Sequence, residues 1–260
     1  MKFLQLIIIG LLISTSAFAD GIDSYVVFGT HANGADGATS TTDFSTAQAA
    51  KTITFAGNCQ LDTAQTKFGA SSLLYDGTTD YISLDDSADF DFGSGDFTID
   101  FWVRFANVSG EQWFYGQTGT GSNEVLFRKN DEATHKLQIY TAKTDVGVTG
   151  FYTMTNNWAP SADTWYHIAV VRNGTSCLMF IDGVSQGVTQ TTAFGTLADV
   201  DGPLDIGVDR TPSASVNGWL DEYRVSKGIA RWTANFTPST SEYSGSASRT
   251  NDFMSFCYTD

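Results

Sequence analysis

The sequence predicts an all-β fold, a β-sandwich or jelly roll, on three observations. Short runs rich in Val, Ile, Phe and Tyr recur about every eight to twelve residues, with turn residues between them and almost no helical period. Of the 29 acidic residues 24 are Asp and only five are Glu (Glu111, Glu124, Glu132, Glu222 and Glu242), and Asp favours turns where Glu favours helices. The third observation is the stretch Thr164 to Gly187, where Asn173-Gly174 and Asp182-Gly183 separate three apolar runs. Both dipeptides tolerate the positive φ of two-residue type I′ turns, so the stretch is expected to be a meander of three antiparallel strands. In its middle strand Cys177, Met179 and Ile181 point one way and Leu178, Phe180 and Asp182 the other, because side chains alternate with period two.

In chain order, Asp23 to Thr30 reads as a first strand, followed by a loop crowded with Gly, Asp, Ser and Thr. Ile53 to Phe55, Ser72 to Tyr75 and Tyr81 to Leu84 are short strands. The acidic turn DDSADFDFGSGD then leads into FTIDFWVRF. There Phe97, Ile99, Phe101, Val103 and Phe105 alternate with Thr98, Asp100, Trp102 and Arg104, the pattern of a half-buried strand. Strands are expected at Gln112 to Gln117, Glu124 to Lys129, Lys136 to Thr141 and Gly150 to Thr155. Beyond the meander come Leu204 to Gly207 and Gly218 to Ser226, then one helical turn around Lys227 to Trp232. The last twenty residues are a Ser-rich linker with a candidate edge strand.

Met1 to Ala19 carries Lys2, an apolar run from Phe3 to Ile13 and the small-x-small end Ala17-Phe18-Ala19, as a cleaved secretory signal does. The run is shorter than the roughly 20 residues that span a bilayer, and no later stretch is apolar enough, so no transmembrane segment is expected in the mature chain. The expected location is secreted, periplasmic or at the cell surface. The net charge of −15 argues against nucleic acid as a partner, since phosphate binding rests on clustered Lys and Arg. Three cysteines permit at most one intramolecular bridge. Cys177, on the apolar side of the meander, is expected to stay reduced, which leaves Cys59 to pair with Cys257.

The segments DGTTDYISL, SADFDFGSGDFTIDFWVRF, TWYHIAVVRNG, CLMFIDG and GWLDEYRVSKGIARWTANFTPST together resemble the laminin-G-like group of the concanavalin A-like lectin/glucanase superfamily, in its bacterial and phage versions. The resemblance is dispersed from Val26 to Thr240. It implies a jelly-roll sandwich of two antiparallel sheets, one of them concave, and a division into a signal peptide (1–19), one jelly-roll domain (20–240) and a linker with edge strand (241–260). It also implies that calcium can sit at the rim of the sandwich.

Glucanases of this superfamily carry closely spaced Glu-x-Asp-x-Glu carboxylates, and glycoside hydrolysis needs two carboxyls about 5 to 10 Å apart. No Glu here has a second Glu four positions away, and Asp85, Asp86, Asp89 and Asp91 read as turn chemistry. The three histidines show no His-x-x-x-His spacing, and His167 inside a strand reads as packed. The expectation is therefore a non-catalytic module that recognises a glycan or cell-surface glycoconjugate. The alternatives are a structural or adhesion subunit binding protein through its sheet edges, and a divergent glycoside hydrolase. For glycan stacking the candidates are Trp102, on the polar side of its strand with Asp100 and Arg104, then Trp113 and Tyr115, which alternate onto one face, and Trp158 in the loop NNWAPS. Trp165, Trp219 and Trp232 are assigned to packing. For calcium, which takes several oxygen ligands, the candidates are Asp76 and Asp80 bracketing a tight turn, and Asp221.

Overall fold

The computed structural model describes residues 21–46, 49–131, 135–143, 148–209 and 214–245. The expected signal segment, Cys257 and most of the expected linker lie outside the described residues. In chain order the strands are β1 (Gly21–Ile22), β2 (Val26–Thr30), β3 (Ile53–Ala56), β4 (Gln60–Asp62), β5 (Ser72–Asp76), β6 (Tyr81–Leu84), β7 (Phe97–Phe105), β8 (Gln112–Thr118) and β9 (Glu124–Lys129). They continue with β10 (Leu137–Lys143), β11 (Val148–Met154), β12 (Trp165–Asn173), β13 (Ser176–Ile181), β14 (Val184–Ser185), β15 (Val188–Gln190), β16 (Leu204–Ile206), β17 (Asn217–Lys227) and β18 (Ser244–Gly245).

Two antiparallel sheets face each other. One runs β15-β11-β10-β9-β8-β16-β6-β3; the other runs β14-β13-β12-β7-β17-β5-β4, with β2 also paired to β17. The fold is the expected jelly-roll sandwich. Its core joins Phe101 of β7 to Phe114 of β8 at 4.9 Å between ring centroids, and Phe101 stacks on Tyr223 of β17 at 5.1 Å. Tyr223 also ties the layers together, its hydroxyl donating to the Phe114 carbonyl at 2.9 Å.

The two turns of the meander differ. Ile181 pairs with Val184, so Asp182 and Gly183 form the two-residue loop, with φ of 49° and 75°, as a I′ turn requires. Asn173, by contrast, pairs with Ser176, which puts the first loop at Gly174-Thr175. Of those two only Gly174 has positive φ (60°), the II′ pattern with Gly at the first central position.

The central strands of the second sheet, β7, β12 and β17, are buried on both faces. β7, expected to be half-buried, is buried at every residue but Arg104. Its outer face lies under the C-terminal segment 228–243, which crosses the sheet as an extended strap. No helix forms at Lys227 to Trp232, because the backbone there binds the sheet instead. Gly228 N–H donates to the Asp96 carbonyl, Arg231 N–H to Thr98 Oγ1, and Thr98 Oγ1 to the Ile229 carbonyl. Beneath the strap Ala169, Val171, Phe180 and Trp232 form a second apolar cluster, and Trp232 stacks on Phe236 at 4.0 Å. Beside it is a buried polar network. Arg224 Nε and Nη2 donate to the two oxygens of Asp100, each at 3.0 Å, and the Tyr243 hydroxyl donates to Asp100 Oδ2 at 2.6 Å. Burial alone would raise the Asp100 pKa, but Arg224 and His167 hold it well below the usual carboxylate range.

Candidate functional site

The outer face of the first sheet carries an apolar pocket where four neighbouring strands meet. β8 contributes Trp113, β9 Leu126 and Arg128, β10 Gln138 and Tyr140, and β11 Phe151. Strand register explains the grouping. Trp113 and Gln138 each lie opposite Arg128, while Leu126 and Phe151 each lie opposite Tyr140, so two cross-strand rows stand side by side. The alternate residues Val125, Phe127, Leu137 and Ile139 point into the core. Tyr140 and Phe151 meet edge to face at 6.0 Å, and the Arg128 guanidinium lies 4.8 Å from the Trp113 ring centre.

Arg128 is already engaged. Its Nη1 donates to Glu111 Oε1 at 2.6 Å, and its Nε and Nη2 to Gln138 Oε1 at 3.0 and 2.9 Å. The guanidinium is thereby held over Trp113. The pocket holds about 100 Å³. Enclosed small-molecule sites run to roughly 300 Å³ or more, so this is a platform that one face of a ligand can rest on. No carboxylate lines it; its chemistry is stacking with peripheral hydrogen bonding.

The residues expected to bind a ligand do not form one surface. Trp113 joins the platform. Tyr115, expected on the same face, is fully buried in the core. The cause is a bulge in β8: Trp113 pairs with Arg128 and Tyr115 with Phe127, leaving Phe114 as an extra residue that inverts the alternation. Trp102 is on the outer face of the other sheet, 7% exposed, with Lys67 Nζ 3.9 Å above its ring and Phe68 edge-on at 5.8 Å. Trp158 packs at the end of the core against Phe105 and Tyr166. Tyr140, Phe151 and Leu126 were not singled out from the sequence, although the period-two rule holds their signal: if Leu137 and Ile139 face the core, Gln138 and Tyr140 face outward.

The carboxylates expected to hold calcium bind the protein's own donors. Asp80, only 1% exposed, accepts the N–H of Asn58 on one oxygen and that of Asp76 on the other; burial raises its pKa. Asp76 caps its own turn through the N–H and hydroxyl of Thr78, which lower its pKa. Asp221 accepts the N–H groups of Lys67 and Phe68 on Oδ2 and of Glu222 on Oδ1, and burial pushes its pKa up to about 8. Asp221 belongs to a second bulge, in β17. Asp221 pairs with Trp102 and Arg224 with Asp100, so Glu222 and Tyr223 together face one residue and Glu222 takes φ 49°.

Residues 76–231 match the laminin-G family described as the concanavalin A-like lectin/glucanases superfamily. The chain belongs to this superfamily. Among solved structures it is similar to domain 4 of an extracellular GH43 arabinanase from Geobacillus stearothermophilus, determined in complex with arabinotriose. That match has 16% identity, covers 72% of this chain and 87% of the other, and has a TM-score of 0.54. It is also similar to the binding domain of Paraclostridial Mosquitocidal Protein 1 (13% identity, 80% and 50% covered, TM-score 0.53). A third similarity is to the binding domain of Botulinum Neurotoxin DC in complex with SialylT (9% identity, 80% and 49% covered, TM-score 0.52). This chain spans about half the length of those two toxin binding domains. No match is found among curated proteins. At such identities the similarity to solved structures speaks for the sandwich fold.

Proposed function

We propose that this superfamily member is a non-catalytic glycan-binding module whose contact surface is the outer face of β8 to β11. The observation that carries the proposal is the pocket between half-buried Tyr140 and Phe151 and the edge of Trp113, 7% exposed, beside an Arg128 held by Glu111 and Gln138. Aromatic faces carry negative quadrupole density, which attracts the weakly positive C–H faces of sugar rings. The polar edge of Gln138 can meet ring hydroxyls. Support also comes from two similar domains, solved with arabinotriose and with SialylT.

The setting we propose is outside the cytoplasm, from the leader-like residues 1–19; no helix among the described residues is long and apolar enough to cross a membrane. A glycan array with the full chain, followed by titration of the best hit against Tyr140→Ala and Phe151→Ala, tests the surface. Both variants should lose at least about tenfold in affinity while melting close to wild type. Binding that neither variant weakens, or no binding to any glycan, would overturn the proposal.

A further inference from the structure

On the opposite side of the sandwich, where the chain's two terminal segments meet the central strand, three side chains converge that the glycan platform does not use. His31 follows β2, Glu222 is in the β17 bulge and Glu242 precedes β18. One potential ligand atom from each lies within 4.8 Å of the others. We propose that His31, Glu222 and Glu242 form a binding site for one divalent transition-metal ion of the zinc class.

The ligand set fits that class. An imidazole nitrogen with two carboxylate oxygens suits zinc and its neighbours, whereas calcium and magnesium take oxygen alone. Bond lengths of about 2.0 to 2.2 Å at a tetrahedral centre put ligand atoms roughly 3.3 Å apart. His31 Nδ1 and Glu222 Oε1 are now at 2.6 Å, sharing a proton that the metal would displace, so small side-chain rotations open the space. The supporting contacts that orient metal ligands are also present. Tyr243 N–H donates to the second oxygen of Glu222 at 2.8 Å, leaving Oε1 directed at His31. The Asn33 amide donates to Glu242, and the Phe44 ring lies 4.4 Å from the imidazole.

Charge points the same way. Two carboxylates face a single imidazole, and Arg224, the next cation along the strand, makes its paired hydrogen bonds to Asp100. A dication would neutralise the cluster. It would also join positions 31, 222 and 242, stapling the strap to the sheet.

The test uses the full chain stripped with chelator, then titrated separately with Zn²⁺, Co²⁺ and Ca²⁺ near pH 7.5. We expect one Zn²⁺ or Co²⁺ per chain after gel filtration, visible absorption bands from four-coordinate Co²⁺, and a melting temperature raised by a few degrees at saturating Zn²⁺. Calcium should not compete. Glu242→Gln keeps the volume and the Asn33 contact at a half-buried position, so it should fold as wild type while weakening Zn²⁺ at least tenfold and changing the Co²⁺ spectrum. His31→Gln should do the same. If the wild type retains no Zn²⁺, or if both variants bind Zn²⁺ with unchanged affinity and stoichiometry, the cluster is an ordinary ion pair and the proposal fails.

Discussion

The two outer faces of the sandwich begin from the same kind of sequence and end in opposite states. On β8 to β11 the outward residues Tyr140 and Phe151 stay half-buried and, with Trp113 at 7% exposure, line an open pocket. On β7, β12 and β17 the outward residues Asp100, His167 and Arg224 lie under the 228–243 strap and are 0%, 1% and 0% exposed. The covered face therefore buries an ion pair, Asp100 with Arg224, beneath aromatic side chains, whereas the open face leaves Tyr140 and Phe151 half-buried beside Arg128. Charge is tolerable under the strap because Asp100 and Arg224 pair with each other, and unpaired burial would be prohibitive. Half-buried aromatics lining an open pocket on the other face are the feature that suggests a ligand.

The largest effect should come from breaking the covered face. Asp100→Ala leaves the Arg224 guanidinium buried without its carboxylate, a loss typically worth about 3–5 kcal/mol. Denaturant unfolding should show it as a midpoint shift with little change in slope. The equivalent cut on the open face, Glu111→Gln against Arg128, should cost less than about 1 kcal/mol, since the Glu111 side chain is 38% exposed and solvent-exposed pairs contribute little. Equal losses from both would erase the distinction between the faces.

The glycine of the second meander turn comes next. A Cβ on Gly183 would fall 2.0 Å from the Phe236 carbonyl oxygen, where the strap closes over the turn. Gly183→Ala combines that clash with positive φ and should cost about 2–3 kcal/mol, read from thermal melts. It should also expose the strap to protease first, because Phe236 N–H bonds to the Gly183 carbonyl.

A sharper contrast lies between two of the buried cations, Arg224 and Lys129. Arg224 is held by Asp100, while the partners of Lys129 Nζ among the described residues are the carbonyls of Gly110 and Asn130. Burial lowers the Lys129 pKa from 10.5 to about 8. Between about pH 8 and 10 the unfolded chain binds the lysine proton while the folded chain has released it, so this group makes stability rise with pH. A neutral amine still has two N–H groups for the two carbonyls. Urea midpoints measured from pH 7.5 to 10 should show the rise, and Lys129→Met should remove that part of the slope. An identical profile in the variant would mean that Lys129 stays charged.

Much of this architecture was legible in the residues. Phe97–Phe105 and Glu124–Lys129 begin and end where the alternation places them, and Asp182-Gly183 forms its I′ turn. The reading failed where one residue is inserted into a ladder or where a distant segment covers a face. The extra Phe114 sends Tyr115 inward, and the β17 bulge turns Glu222 toward His31, 191 positions away. Neither bulge changes composition or local period enough to be seen along one strand; each exists in the pairing with the neighbour. The strap is equally silent, since its extended form depends on donors and acceptors of β7 that lie more than a hundred positions upstream.

The smallest effect belongs to the first meander turn, and it isolates backbone from packing. A Cβ on Gly174 would meet nothing within 4 Å, so no clash accompanies a substitution there. What remains is the φ of 60°, which a β-branched residue adopts at a cost of about 1–2 kcal/mol. Gly174→Val should therefore lower the melting temperature by a few degrees. Gly174→Asn should recover most of that, because Asn tolerates the left-handed region. The Gly174 N–H bonds to Asp96 Oδ1 at 2.7 Å in either case, so the contact to the preceding loop is preserved. If Val and Asn destabilise equally, the turn has moved to place Asn173 and residue 174 at its centre, and the II′ geometry does not survive substitution.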